Sequence, residues 1–364
     1  MDQASGARCG EDALTFALRD PDRRLAGVRL LPQISTAEYA VPGDRLHFSY
    51  DEGERAWRLS FPRPAAWRLE YLLEQRHADG AIERTLDPDN PRRVGGAFGD
   101  KSVVECPDYV EPAWLGRPGA AGHWRDLGVW SRAVKSKITA RIWSPDVDTD
   151  RVVIAHDGPE YDSFASLGRY SAAMIAAGWV APHHVVLLDP GERDEWYSAN
   201  PSYARALADD VLPRLHVDLD TRRPVVGVGT SLGALAMLHA QRRYPHAFAG
   251  LFLQSGSFFR PHHDGHESGF RRYRRIVRFT GEVVRARGAT AAGLPTVLTC
   301  GLVEENLANN RDMAKALRAQ GYAADLFEVP DAHNFTGWRD AFDPYLTDLL
   351  RRIWETGGGD HART

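Results

Sequence analysis

The chain has 364 residues, 43% hydrophobic and 26% charged, enough to bury two cores and unlike a disordered or collagenous composition. A formal net charge of -4 gives no general field for nucleic acid or an anionic membrane, so recognition has to be local to a site. Cys9, Cys106 and Cys300 are odd in number, far apart and without zinc-ligand spacing, which favours a reducing compartment over a disulfide framework.

The segment Met1 to Glu11 lacks the basic-then-apolar order of an export signal, and no run approaches the roughly 18 apolar residues of a spanning helix. The expectation is a soluble cytoplasmic protein. From about Gly27 to Val110 the chain carries short β-type runs: Leu46 to Tyr50, Ala56 to Leu59, Trp67 to Gln75 and Val103 to Glu105. Alternation of Trp67, Leu69, Tyr71 and Leu73 predicts a half-buried strand, with a turn at Ala78-Asp79-Gly80. A small all-β sandwich over residues 1–120 is expected, closed by the Pro/Gly-rich stretch from Gly116 to Gly122.

Over residues 121–356 the texture changes. Strands are predicted at Lys137 to Trp143, Val152 to Ala155, Val185 to Leu188, Pro224 to Val228, Gly250 to Gln254, Thr296 to Cys300 and Ala324 to Val329. Helices alternate with them, at Tyr170 to Ala177, Pro201 to Leu215 and Leu232 to Arg243, then two more, then a last one from Trp338 to Trp354. Such alternation predicts an α/β fold with a mostly parallel sheet, helices on both faces, and a site at the carboxyl ends of its strands. Residues 357–364 are Gly-rich and polar and read as a disordered tail.

Gly229-Thr230-Ser231-Leu232-Gly233 follows an apolar strand and opens a helix, the context in which G-x-S-x-G forms the nucleophile elbow of an α/β-hydrolase. Ser231 is the candidate nucleophile. A serine hydroxyl needs a base, and in that fold the acid and then the histidine lie downstream. His333, between the last strand and the last helix, is the candidate base. Glu304, beyond the strand Thr296 to Cys300, is preferred as the acid, with Glu305 and Asp331 as alternatives. The oxyanion donors expected are the N–H of Leu232 and one from the loop His156 to Tyr161. Pro159 has no N–H, which leaves Glu160 or Tyr161, of which Glu160 is preferred.

In these residues the chain resembles the enterochelin esterase group of the esterase D-like α/β-hydrolases. The resemblance runs through His156-Asp157-Gly158, Gly229 to Gly233, Gln254 to Phe258, Gly301 to Glu304, Asn310-Arg311, His333-Asn334 and Trp338-Arg339. Upstream, Tyr71, Asp87 to Pro91 and Phe98-Gly99 look like that group's N-terminal immunoglobulin-like domain. The resemblance implies hydrolysis of the esters of a ferric catecholate siderophore trilactone, and it implies that Arg193 faces the substrate. Gly269 to Phe279 adds a cluster of arginines, with Arg271 and Arg274 as candidate contacts to an anionic ligand or else part of a solvated basic face. The tract His262-His263-Asp264-Gly265-His266 has no standard zinc spacing, and serine hydrolysis requires neither metal nor cofactor, so none is expected. The partner expected is a small-molecule ester, with no nucleic acid and no membrane. A general carboxylesterase, an acyltransferase with the same serine and histidine, and an inert binding protein are the other readings, and the oligomeric state is open.

Overall fold

Leu14, Phe16 and Leu18 alternate inward along one strand and Leu69, Tyr71 and Leu73 along another, and this period of two builds the first core. The computed structural model describes residues 6–34, 43–286 and 293–355, so the expected tail at 357–364 lies outside the described residues. The strands of the first region are β1 (Gly6–Cys9), β2 (Ala13–Arg19), β3 (Leu25–Pro32), β4 (Ser49–Asp51), β5 (Ala56–Pro62), β6 (Arg68–His77), β7 (Ile82–Thr85), β8 (Arg93–Val94) and β9 (Lys101–Glu105). They form two sheets, β1-β2-β5-β4 and β3-β6-β9-β8, with β7 paired to β6, and side chains of both sheets share one core. The sandwich expected from the sequence is therefore present, with three strands ahead of those the sequence patterns located. The Tyr71 hydroxyl donates to Asp87 Oδ2 at 2.6 Å and accepts from Asn90 Nδ2 at 3.0 Å, so Tyr71, Asp87 and Asn90 of the upstream motif form a buried brace of this sandwich, while Phe98 is exposed.

One sequence expectation is corrected here. Cys9, ending β1, and Cys106, just beyond β9, are disulfide-bonded across a separation of 97 residues, with their Cα atoms 4.9 Å apart. Strands from the two different sheets of the sandwich bring together what no spacing in the sequence could, and the pairing removes cysteine usage as an argument for a reducing compartment. Cys300 is buried. Closing so long a loop constrains the unfolded chain, by about 3–5 kcal/mol on the chain-entropy account. The double variant Cys9→Ser/Cys106→Ser should accordingly unfold at clearly lower denaturant than wild type, whereas an unchanged midpoint would mean that the bridge adds nothing.

The second region is an eight-stranded sheet flanked by helices. Its strands are β10 (Gly122–Ser131), β11 (Ser136–Pro145), β12 (Val152–Ala155), β13 (His184–Leu188), β14 (Val225–Thr230), β15 (Phe248–Gln254), β16 (Pro295–Gly301) and β17 (Ala323–Val329), in the order β10-β11-β13-β12-β14-β15-β16-β17. The β10-β11 hairpin is antiparallel and so is β11 with β13, while β13, β12, β14, β15 and β16 run parallel. That order, with one crossover between β11 and β14, is the α/β-hydrolase sheet. Strands buried on both faces read as apolar runs, as in Val152 to Ala155.

The helices are α1 (Gly158–Ala165), α2 (Leu167–Ala176), α3 (Arg193–Trp196), α4 (Pro201–Ala206), α5 (Leu212–Asp218), α6 (Leu232–Arg243), α7 (Tyr273–Arg285), α8 (Leu307–Ala319), α9 (Phe335–Asp340) and α10 (Thr347–Glu355). The single last helix expected from Trp338 to Trp354 is two, separated at Pro344, whose ring cannot occupy a helix interior. No helix among the described residues is long and apolar enough to cross a membrane. The chain divides into two compact units. The first comprises 1–110 with the loops 301–305 and 329–334, and the second comprises 111–300, 306–328 and 335–364.

Candidate active site

Ser231 sits between β14 and α6 at φ 53°, ψ -124°, a conformation a side-chain-bearing residue adopts only when its surroundings impose it. The imposition is visible. Ser231 N–H donates to Gln254 O at 2.9 Å, and its own carbonyl accepts from Ser257 at 3.1 Å and from Leu235 at 3.3 Å. Glycine is required at 229, where a Cβ would lie 2.5 Å from the backbone of Gly233, and a Cβ at 233 would fit only tightly, 3.0 Å from His156 Cβ. The Ser231 hydroxyl is 3.1 Å from that of buried Ser257, a neighbour the sequence reading did not single out. Leu232 is the first residue of α6, so its N–H has no intrahelical acceptor.

The loop from Gln254 to Phe258 that carries Ser257 is held from several directions. Asn310 on α8 accepts from Gly256 N at 3.1 Å and donates to Gly256 O at 2.8 Å. Trp338 Nε1 donates to Ser255 Oγ at 2.9 Å, and Gln254 Nε2 donates to Trp338 O at 3.1 Å. Three segments of the family resemblance, far apart in sequence, are thus one hydrogen-bonded frame behind the elbow.

His156 precedes α1 and is fully buried, its ring 4.5 Å from that of Tyr197. Its Nδ1 faces Gly233 O at 2.9 Å; a carbonyl only accepts, so Nδ1 carries the proton. Burial pushes the imidazole down to about 4, keeping it neutral. Asp157 follows in the left-handed conformation, and Arg193 grips its carboxylate at 2.7 and 2.8 Å through Nε and Nη2. Arg193, expected to face the substrate, therefore spends two of its donors on bracing the His156-Asp157-Gly158 loop. Glu195, two residues on, accepts from Arg272 and, at 2.7 Å, from Arg275, so this short segment ties α3 to the start of α7. Arg271 and Arg274 are exposed and alternate with those two tethered arginines, beside a surface depression of about 480 Å³. In α1 the N–H of Tyr161 is committed to Asp157 O at 2.8 Å, which separates the two candidate oxyanion donors: Glu160, in the first turn, has the N–H without an intrahelical acceptor.

The first unit holds the other candidates. His333 Nδ1 is 2.6 Å from Glu304 Oε2, and Glu304 is fully buried, its second oxygen accepting the N–H of Gly301. Of the three carboxylates considered for orienting His333, Glu304 is the one the fold brings to it. Asp331 is turned away: Oδ1 accepts from Ala332 N at 2.7 Å and Asn334 Nδ2 at 2.8 Å, and Oδ2 lies 3.5 Å from Arg68. Burial raises the Asp331 carboxyl and Arg68 opposes it. Ser231 belongs to the second unit. His262 and His263 converge on Asp312, at 3.7 and 3.4 Å, but Arg260 lies 3.4 Å from the same carboxylate oxygen, so a resident cation already answers that charge.

Comparison with known proteins places the chain in a family. The iron(III) enterobactin esterase of Escherichia coli O6:H1 (strain CFT073) is 24% identical over 309 residues, 81% of this chain and 74% of that protein. The crystal structure of the Shigella flexneri enterobactin esterase in the presence of 2,3-dihydroxy-N-benzoyl-glycine matches at a TM-score of 0.71 and 19% identity, covering 99% of this chain and 98% of that one. The ferric enterobactin esterase of Salmonella typhimurium matches at 0.72 and 20% identity, covering 94% of each chain. At such identities the likeness is one of fold, and it spans both units. Residues 131–349 match the family described as putative esterase, and the chain belongs to that family.

Proposed function

We propose that this protein is a serine esterase that cleaves the esters of a catecholate siderophore trilactone, taken as its ferric complex, through an acyl-enzyme on Ser231. The observation that carries the serine chemistry is the elbow: a serine forced to φ 53° between β14 and α6, beside the first N–H of that helix, which has no intrahelical acceptor. His333 Nδ1 is engaged by Glu304, which leaves Nε2 to take the Ser231 proton as Oγ attacks the ester carbonyl. The N–H groups of Leu232 and Glu160 receive the oxyanion. The alcohol departs with the proton from His333, and a water activated by the same imidazole attacks the acyl-serine, returning the free acid and Ser231.

The substrate class draws its support from the relatives, which are themselves enterobactin esterases, and from the exposed Arg271 and Arg274. Guanidinium groups suit the delocalised catecholate oxygens of an anionic complex. Iron arrives as part of the substrate.

Two measurements test this together. Incubation with an organophosphonate should add one phosphonyl group to the peptide carrying Ser231, and label elsewhere or nowhere would sink the serine mechanism. On a ferric catecholate trilactone, Arg271→Glu/Arg274→Glu should raise KM about tenfold, the scale of one or two charge-assisted contacts, while leaving a nitrophenyl ester unaffected. Equal or better turnover of simple esters by wild type would favour a general carboxylesterase, and glycerol esters formed at the expense of free acid would favour an acyltransferase.

A further inference from the structure

The loops that carry Glu304 and His333 follow strands of the eight-stranded sheet, yet they pack as part of the β-sandwich unit. We infer that Gln33 and Arg68 of the β-sandwich are positioning residues for His333, fixing the backbone on both sides of the imidazole. This rests on the reading of His333 as the base of the esterase.

Gln33 lies one residue past β3. Its Nε2 donates to the main-chain carbonyl of His333 at 2.6 Å, its Oε1 accepts from Lys101 Nζ at 2.7 Å, and its own N–H donates to Glu70 O at 2.9 Å. An ammonium can only donate, so the amide oxygen must face Lys101 and the NH₂ must face His333. The orientation is dictated at both ends.

Arg68 opens β6 and is 3% exposed, between Asp331 at 3.5 Å and Glu70 at 3.6 Å, with its guanidinium over the Tyr109 ring. Asp331 in turn fixes the residues flanking the histidine, through Ala332 N and Asn334 Nδ2. Beside Arg68, Trp67 N–H donates to Pro330 O at 2.7 Å, and Trp67 O accepts from Cys106 at 2.8 Å, so the brace is continuous with the disulfide-bonded edge of the sandwich. Ala66 packs with Val303 and Ala332, seating the acid loop and the base loop on one apolar patch.

Burying Arg68, Glu70 and Asp331 together is costly, and hydrophobic residues of similar size would stabilise the unit at least as well. What the charged set supplies instead is a fixed place for the loop, and displacement of a base by 1 Å can cost as much as a hundredfold in rate.

The test is kinetic, on the full chain with a nitrophenyl ester. Gln33→Ala and Gln33→Glu should each lower kcat about tenfold with KM within twofold and the melting temperature close to wild type. Gln33→Glu keeps the shape and can face Lys101 but cannot donate to His333. Arg68→Lys, which keeps a cation against Asp331, should retain more activity than Arg68→Met. Unchanged kcat in both Gln33 variants would overturn the inference, and so would a loss that tracks melting temperature, because that is a structural effect alone. Ser231→Ala serves as the control: if it still hydrolyses the ester, the esterase reading itself has failed and the inference with it. If it is inactive while the Gln33 variants are normal, only the positioning role is lost.

Discussion

Ser231→Ala is expected to lower kcat for ester hydrolysis by about 10⁶-fold while leaving the fold intact. Alanine carries the same Cβ into the same φ of 53°, so the backbone strain at the elbow does not change. The removed hydroxyl gives up a hydrogen bond to Ser257 and nothing in the elbow's backbone frame, whose donors and acceptors are main-chain groups. Residual activity should reflect the oxyanion donors alone. Steady-state hydrolysis together with a melting curve checks both halves of the expectation. Ser257→Ala offers the contrast, since it frees the resting hydroxyl of Ser231 without removing the nucleophile and should stay within about tenfold of wild type. If Ser231→Ala kept a substantial rate, the nucleophile would have to be sought elsewhere.

The second large effect belongs to Glu304→Gln, expected to cost about 10⁴-fold in kcat with KM little changed. The reason lies in the carboxylate's other oxygen. Oε1 accepts the N–H of Gly301, so a glutamine must place its carbonyl there and turn its NH₂ toward His333 Nδ1. Two donors cannot face one another, and the imidazole is driven to the tautomer protonated on Nε2, which cannot accept a proton from serine. Glu305→Gln should stay within twofold. Equal losses in the two variants, read as kcat on one ester, would show that the pairing with Glu304 is not what orients the base.

The parts of the fold legible in the sequence are those where one pattern admits one answer. Val152 to Ala155 is apolar at every position and forms β12 with those ends, and the elbow glycines fix the start of α6 at Leu232. β10 escaped notice because it begins inside a Gly/Pro-rich stretch and pairs along a sheet edge where polar residues are tolerated. β2 was legible in principle, through the alternation of Leu14, Phe16 and Leu18 along its seven residues. In the site, motif order pointed to Glu304 and to the α1 loop, with Glu160 preferred to Tyr161 there, but the physical reason to separate the two comes from the helix that commits the Tyr161 N–H to Asp157 O. Arg193 shows the reverse: a motif named it, and only the fold reveals that its fork closes on Asp157. No spacing rule could have joined Gln33 to His333 across 300 residues.

The chain passes between its two units at residues 110, 300, 305, 328 and 334. A β-sandwich at the front of a hydrolase invites treatment as a detachable cassette, to be lost or exchanged by recombination at a single junction. Here a cut at residue 110 would carry away Ala66, Trp67 and Arg68 while leaving behind Pro330, Asp331 and Ala332, the residues they hold. The two halves of that contact come from widely separated stretches of the sequence, and a newly acquired β-sandwich could serve only if it arrived with the same seat already carved.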